Sequence, residues 1–407
     1  MDYLLQILGF PYSVLLAVAF LLAVIALNYF AGDSSFVKVL ASTKTARWLL
    51  AIGTLLFAVE GTWSIPIHKH FIFPIYALVL LSSLLVTILK GIRRKAKWGF
   101  LLSHLGIFLI VWASTFGAPD VSRLKMVVPK EQPIAMAYAE DYHIVPLPFE
   151  VQLEDFKIDY YPDSICPKQF TSSLIVEGKK MDTSVNSPCY YDGYAIYQDG
   201  YDPEEQSYSV LQLVKDPWLP FVYFGMLLLA AGSSMMLFSK WKAKSVVPIV
   251  LVLTILFTIL TVAKINFGTL MPALRSWWFV PHLFIYMVAY SLMALALVVW
   301  IVAVSKKKSD WQVISDNLVR SSSALLIIGM LTGSVWANQA WGNYWAWDAK
   351  ENWAAVTWLV SLIHLHLQAK KGWRAFVILL LAFLALQITW YGVNYLPSAV
   401  NSLHTYN

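Results

Sequence analysis

Charge is what this chain has least of. Asp, Glu, Lys and Arg make up 13% of its 407 residues, where soluble domains carry about a quarter. With 58% hydrophobic residues and a mean hydropathy of +0.61, that scarcity excludes a water-soluble globular protein and leaves an integral membrane one. The formal charge is +6, yet Lys and Arg sit in short blocks beside apolar runs, as the positive-inside rule demands, so the excess points to orientation and not to nucleic acid. Cysteine is scarce too: Cys166 and Cys189 are the only two. No C-x-x-C occurs, which leaves thioredoxin-like chemistry without support. Both fall in one polar segment, where a structural disulfide is the leading reading and a redox pair exchanging with partner thiols the alternative. Coiled-coil heptads, nucleotide fingerprints and low-complexity tracts are absent, as are the ten-residue alternating strands of a membrane barrel.

What is present is a series of apolar runs near the ~20 residues that cross ~30 Å of hydrocarbon. Four come first, at roughly residues 11–30, 47–63, 71–90 and 98–117. Lys38, Lys44 and Arg47 flank one connecting loop and Lys90, Arg93, Arg94, Lys95 and Lys97 the next, which assigns both to the cytoplasm and the N-terminus to the outside. The first run lacks the charged leader and cleavage site of a secretory signal and reads as a retained span. The fourth delivers residues 118–215 outside, where alternation replaces helical period: 149–156, 170–176 and 194–197 read as strands. Six further spans follow, at roughly 218–238, 246–263, 280–304, 321–338, 353–369 and 373–396. Their cytoplasmic ends are marked by Lys240, Lys242 and Lys244, by Lys306, Lys307 and Lys308, and by Lys370, Lys371 and Arg374. The expected fold is an all-α polytopic membrane protein of about ten transmembrane helices with a small extracytoplasmic β-rich domain, divided as 1–117, 118–215 and 216–407.

The densest chemistry lies in W-G-N-Y-W-A-W-D-A-K-E-N-W, from Trp341 to Trp353. Trp336, Trp341, Trp345, Trp347, Trp353 and Trp358 are a third of the chain's 18 Trp. Interfacial Trp commonly serves only as an anchor. Asp348 followed by Glu351 has the form of an N-cap with its helix-start partner. Neither reading accounts for so many indoles interleaved with Gly342, Asn343 and Asp348, and the expectation is a flat aromatic platform suited to a large planar ligand such as a porphyrin. Topology sorts the histidines. His282 opens an inward span and His404 follows the last one, both at the outer face. His104, His364 and His366 fall within about two turns of the inner boundary. A single membrane histidine can be a mere helix-to-helix hydrogen bond, but two sets at matched depths suit two bis-imidazole iron sites. His364 and His366 are about 200° apart on a helix, so both cannot face one ligand. His68 and His70, in an outer loop, are expected to be surface residues, and His143 is given no role.

The W-G-x-x-W-x-W-D run resembles the WWD signature of the heme-handling superfamily. The continuation A-K-E-N-W, the later G-W-R and the ending Y-G-V-N-Y-L … L-H-T-Y resemble the CcsA family of system II cytochrome c biogenesis, over roughly residues 218–407. P-K-Q-F, V-N-S-P-C-Y-Y-D-G-Y-A-I-Y-Q and L-V-K-D-P-W resemble its ResB (CcsB) partner, whose outer domain is usually much longer, so the whole resembles a shortened fusion of the CcsBA type. This resemblance implies that His104, in L-S-H-L-G, and His366, in the family's L-H-x-Q pattern, receive heme within the membrane. It implies that His282 and His404 ligate heme iron outside, and that Trp341, Gly342, Trp345, Trp347 and Asp348 form the catalytic surface. The implied activity is that of a cytochrome c heme lyase, adding two thiols of a C-x-x-C-H segment across the vinyls of heme b. Its implied partners are apocytochrome c, thiol-reducing proteins and lipid of a bacterial inner membrane. A di-heme b-type electron-transfer protein and a heme exporter or chaperone are the rival readings. Lys264 and Arg275 either pair with heme propionates or snorkel to the interface.

Overall fold

The computed structural model describes residues 9–130, 132–237, 269–307, 309–367 and 372–401. Helix α1 (Tyr12–Phe30) is followed by a single short helix α2 (Ser35–Leu40), then α3 (Thr43–Trp63), α4 (Ile72–Arg93) and α5 (Trp98–Gly117). Hydroxyls start two of them: Ser34 and Ser42 accept hydrogen bonds from the Val37 and Thr45 amides, so each satisfies a backbone donor that a helix start leaves open. Lys90, in the last turn of α4, donates to the Val37 carbonyl at 3.2 Å and ties α2 to that end of the bundle.

Beyond α5 the chain forms one eight-stranded antiparallel sheet: β1 (Ser122–Pro129), β2 (Ile134–Tyr138), β3 (Ile144–Tyr160), β4 (Pro167–Val176), β5 (Lys179–Ser184), β6 (Cys189–Tyr191), β7 (Tyr194–Tyr201) and β8 (Tyr208–Lys215). Strand order is β5-β4-β3-β2-β1-β8-β7-β6. The central pair, β1 and β8, is in register from Ser122 opposite Lys215 to Pro129 opposite Tyr208. These two strands continue directly from α5 and into α6 (Leu219–Leu237), so the sheet grows out of a helical hairpin. Asp120 clasps its base, accepting from the Trp218 indole at 2.6 Å and the Ser13 hydroxyl at 2.7 Å. Period-two alternation buries Leu124, Met126 and Val128 with Phe149, Val151, Leu153, Leu211 and Leu213. The outer strands curl together: Thr183 of β5 donates to the Ile196 carbonyl of β7 at 2.7 Å.

Then come α7 (Phe279–Ser305), α8 (Ser309–Trp341), α9 (Ala349–Leu365) and α10 (Trp373–Trp390), with 3-10 turns at Gly392–Tyr395 and Pro397–Asn401. At 33 residues α8 is about 50 Å long, well beyond the span expected over 321–338. The excess carries its last turn to the sheet, where the Trp341 carbonyl accepts from Gln212 at 3.2 Å. The helices do not separate into an early and a late bundle. Close packing joins α3 to α9, α5 to α6 and α6 to α8. The α5–α6 contact is made through glycine, Gly225 lying against the Gly106 carbonyl so closely that an added Cβ would meet it at 2.9 Å, as small residues permit between membrane helices.

Seven of the described helices are long and apolar enough to cross a membrane, and the chain is a multi-pass membrane protein. The expectation of about ten spans is therefore met only in part. Spans expected at 47–63 and 353–369 are helices here, α3 and α9, but fall outside that set of seven. The one expected at 246–263 lies outside the described residues. The expected disulfide is a further correction: Cys166 is free and exposed on a loop, and Cys189 is free and buried on β6. Burial raises the Cys189 thiol to about 11, which keeps it protonated and unreactive near neutrality.

Candidate functional site

At the sheet end of the bundle, Gly342 terminates α8. Its φ of +69° suits glycine, and a Cβ there would fall 2.8 Å from the Tyr197 ring and 2.7 Å from Val214, so both backbone and packing require the bare residue. Its amide donates to the Asn338 carbonyl at 2.9 Å, while the Asn338 side chain accepts from Tyr223 on α6 at 2.7 Å. Asn343 then accepts from the Trp345 amide at 3.3 Å and from Arg123 of β1 at 3.4 Å. Tyr344 and Ser114 of α5 share a hydrogen bond of 3.0 Å. The Trp-rich loop is thus held by α5, α6 and the sheet together.

Asp348 performs the helix-start role. Its carboxylate accepts from the Glu351 amide at 2.8 Å, and Glu351 reaches back to accept from the Ala346 amide at 2.7 Å, a reciprocal cap. Because Asn caps nearly as well, Asp348→Asn is expected to leave stability near normal, whereas Asp348→Ala should cost about 1 kcal/mol. Thermal unfolding checks this, and a large loss of stability in the Asn variant would assign the acid a role beyond capping.

The indoles are not one flat platform. Trp336 is 1% exposed and Trp358 is 7% exposed, so both are core residues. Trp336 and Trp341 meet at 69°, and Trp345 and Trp347 at 85°, since indole quadrupoles favour edge-to-face contact over coplanar packing. Trp347, itself at φ +60°, has two near-parallel neighbours: Phe57 at 5.3 Å and 19°, and His68 at 4.6 Å and 7°. Phe73 meets it edge-on at 5.0 Å. Around this loop the indole nitrogens of Trp345 and Trp353 and the side-chain oxygen of Asn352 are buried without a hydrogen-bond partner. Such orphans cost about 1–3 kcal/mol each and suit a site that receives a polar group from a ligand.

His282 lies in the first turn of α7. Its Nδ1 donates to the Gly329 carbonyl at 2.8 Å, and its ring stands 5.9 Å from Trp336 and edge-on to Tyr286 at 4.8 Å. The hydrogen bond leaves the ring's lone pair on Nε2. His404 and Lys264 lie outside the described residues. Arg275 is engaged by the sheet, donating to the Lys168 carbonyl at 3.2 Å and lying over the Tyr161 ring.

At the opposite end lie His104, in the second turn of α5, and His366, the residue closing α9. Each directs Nδ1 to the carbonyl four residues earlier, Phe100 and Leu362, at 2.8 Å, so both lone pairs fall on Nε2. Bonds of this kind orient metal-ligating imidazoles. His364 is excluded from such a role. Fully buried, it faces the Ala375 carbonyl through Nδ1 at 3.2 Å and Asp316 through Nε2 at 2.9 Å, so both nitrogens are occupied.

His70 is exposed as expected, and so is His143, but His68 is not a plain surface residue. Its Nδ1 pairs with Glu60, a carboxylate 4% exposed within α3. A buried acid among the apolar residues at the end of a helix of a membrane protein is a functional signal, and Glu60 was the available clue. Arg123 gave none, because its contact with Asn343 joins residues 220 apart.

Residues 218–400 match the family described as cytochrome C assembly protein, and residues 90–207 match the ResB-like family. Among similar proteins, the cytochrome c biogenesis protein CcsA of Chlamydomonas reinhardtii is 34% identical over 154 residues, 34% of this chain and 44% of that protein. The CcsA of Guillardia theta is 34% identical over 168 residues, covering 33% of this chain and 56% of that protein. In Synechococcus sp. (strain JA-3-3Ab) the figures are 45% over 91 residues, 22% and 26%. The chain thus spans between 26% and 56% of these relatives' own length.

Proposed function

A chain in which a ResB-like region runs into a cytochrome c assembly region belongs to the fused ResB–CcsA type, and from that premise we propose that it handles heme for cytochrome c maturation. Heme b is its substrate, taken up between His104 and His366 and passed to a second site formed by His282, His404 and the loop of Trp341, Gly342, Trp345, Trp347 and Asp348. There it is joined to apocytochrome c kept reduced by thiol-reducing partners. Each thiol of the C-x-x-C-H segment adds across one vinyl group, forming a carbon–sulfur bond while its hydrogen goes to the other vinyl carbon. No side-chain nucleophile is required. The protein's part is to align ring and peptide, which contributes several kcal/mol when the fit is good.

The observation that supports this reading is that His104 and His366, one on each matched region and both at the far end, make the same Nδ1-to-carbonyl bond at 2.8 Å. Orientation is supported by charge. Lys90 and Arg93 end α4 opposite the sheet, which assigns the far end to the cytoplasm and the sheet end to the outside of a bacterial inner membrane. Residues 1–117, 118–215 and 216–407 then serve as the ResB-like spans, the outer domain and the CcsA-like heme-handling region. Coexpression with an apocytochrome tests the proposal. A cytochrome whose heme survives denaturation and acid extraction is expected. An electron carrier or an exporter yields none, and its absence with apocytochrome present would sink the reading.

A further inference from the structure

Residues 9–89 precede both matched regions, which begin at 90 and 218, yet they form one wall of the Trp-rich loop. Helix α3 packs along α9. At Gly61 a Cβ would lie 2.8 Å from Asn352 and 3.2 Å from Trp353, and the Gly61 carbonyl accepts from Ser398 at 2.6 Å. The chain then reverses at Ser64, with φ of 54°, and the turn Ile67–Lys69 carries His68 back over the end of α3.

Glu60 holds it there. The carboxylate accepts from the His68 amide at 3.1 Å and pairs with its Nδ1. A carboxylate so deeply buried is costly to desolvate, and His68 is the residue that compensates it. What this pair then touches is Trp347, through the nearly parallel stack. Trp347 holds a left-handed backbone conformation that a bulky residue adopts only when its surroundings impose it.

We propose that Glu60 and His68 are a positioning pair for Trp347, Glu60 fixing the imidazole and the imidazole fixing the indole. The segment outside both matched regions thereby becomes part of the sheet-end heme site. This rests on the heme reading above. A residue that positions through a flat ring is replaceable by another flat ring, whereas one acting through imidazole chemistry is not.

The test uses the full chain carrying His104→Ala, stripped of heme, so that added heme reports the sheet-end site through its low-spin absorption band. In that background, His68→Ala is expected to weaken binding about tenfold, the size typical of partners that orient a ligand. It should also shift the reduced spectrum and speed chymotrypsin cleavage within residues 341–348 of heme-free protein several-fold. The double variant Glu60→Leu with His68→Phe removes the buried charge but keeps a ring on Trp347, and is expected to restore binding and cleavage to within about twofold. Binding and cleavage unchanged in His68→Ala would overturn the proposal. So would a double variant as impaired as His68→Ala at equal protein level. If the unsubstituted site takes up no heme, the functional reading fails, while cleavage of the heme-free protein still decides whether His68 holds Trp347.

Discussion

His104→Ala and His366→Ala are each expected to strip heme from the far end of the purified protein, while His364→Ala leaves it in place. An iron–imidazole bond contributes more than the ~1.4 kcal/mol that a tenfold change represents, so far-end heme should fall by more than about tenfold in either ligand variant. The contrast with His364 follows from its occupied nitrogens, 2.9 Å from Asp316 and 3.2 Å from the Ala375 carbonyl. Removing that ring takes away the hydrogen-bond partner of Asp316, whose side chain is 14% exposed, and leaving such a group without its partner costs about 1–3 kcal/mol. His364→Ala should therefore lower Tm with the heme spectrum of the folded fraction unchanged. Heme content, the reduced spectrum and thermal unfolding, measured on the three variants together, check this. A folded His364→Ala protein without far-end heme would reassign the ligand.

Replacing Trp341, Trp345 and Trp347 together with Leu is expected to preserve membrane insertion, since Leu partitions readily into lipid, and to reduce covalent cytochrome by more than about tenfold. Aromatic pairs are worth about 0.5–1.5 kcal/mol each beyond their area. The variant removes the Trp345–Trp347 pair, the stacks of Trp347 on Phe57 and His68, and the Trp336–Trp341 contact. A loop that loses these contacts no longer holds ring and peptide in register. An anchoring role alone predicts a mild tilt with maturation intact, so full cytochrome yield in this variant would remove the loop from the site.

Much of this could be read in order along the chain. The helices, the basic block at Lys90 and Arg93, and the cap at Asp348 with Glu351 are local in cause: each depends on residues within one or two turns. Strands were legible in part. Residues 149–156, 170–176 and 194–197 lie within β3, β4 and β7, whereas β1 and β8, which adjoin the helices, were not among the expected strands. The flat platform was expected from the number of indoles, but number does not set angle, and ring planes are decided by neighbours distant in sequence.

Composition and local pattern thus determined by themselves that this is a multi-pass helical protein with a β-rich insert, and which loop gathers its Trp. Tertiary structure alone decided that both nitrogens of His364 are occupied, that Cys166 and Cys189 stay unbonded, and that Glu60 and His68 reach Trp347. The physical reason is common to all three. A helix or strand arises from interactions a few residues apart, which a sequence displays, whereas a ring's direction and a carboxylate's partner are settled by packing of α9 against α3 and α8, whose contacts no spacing along the chain records.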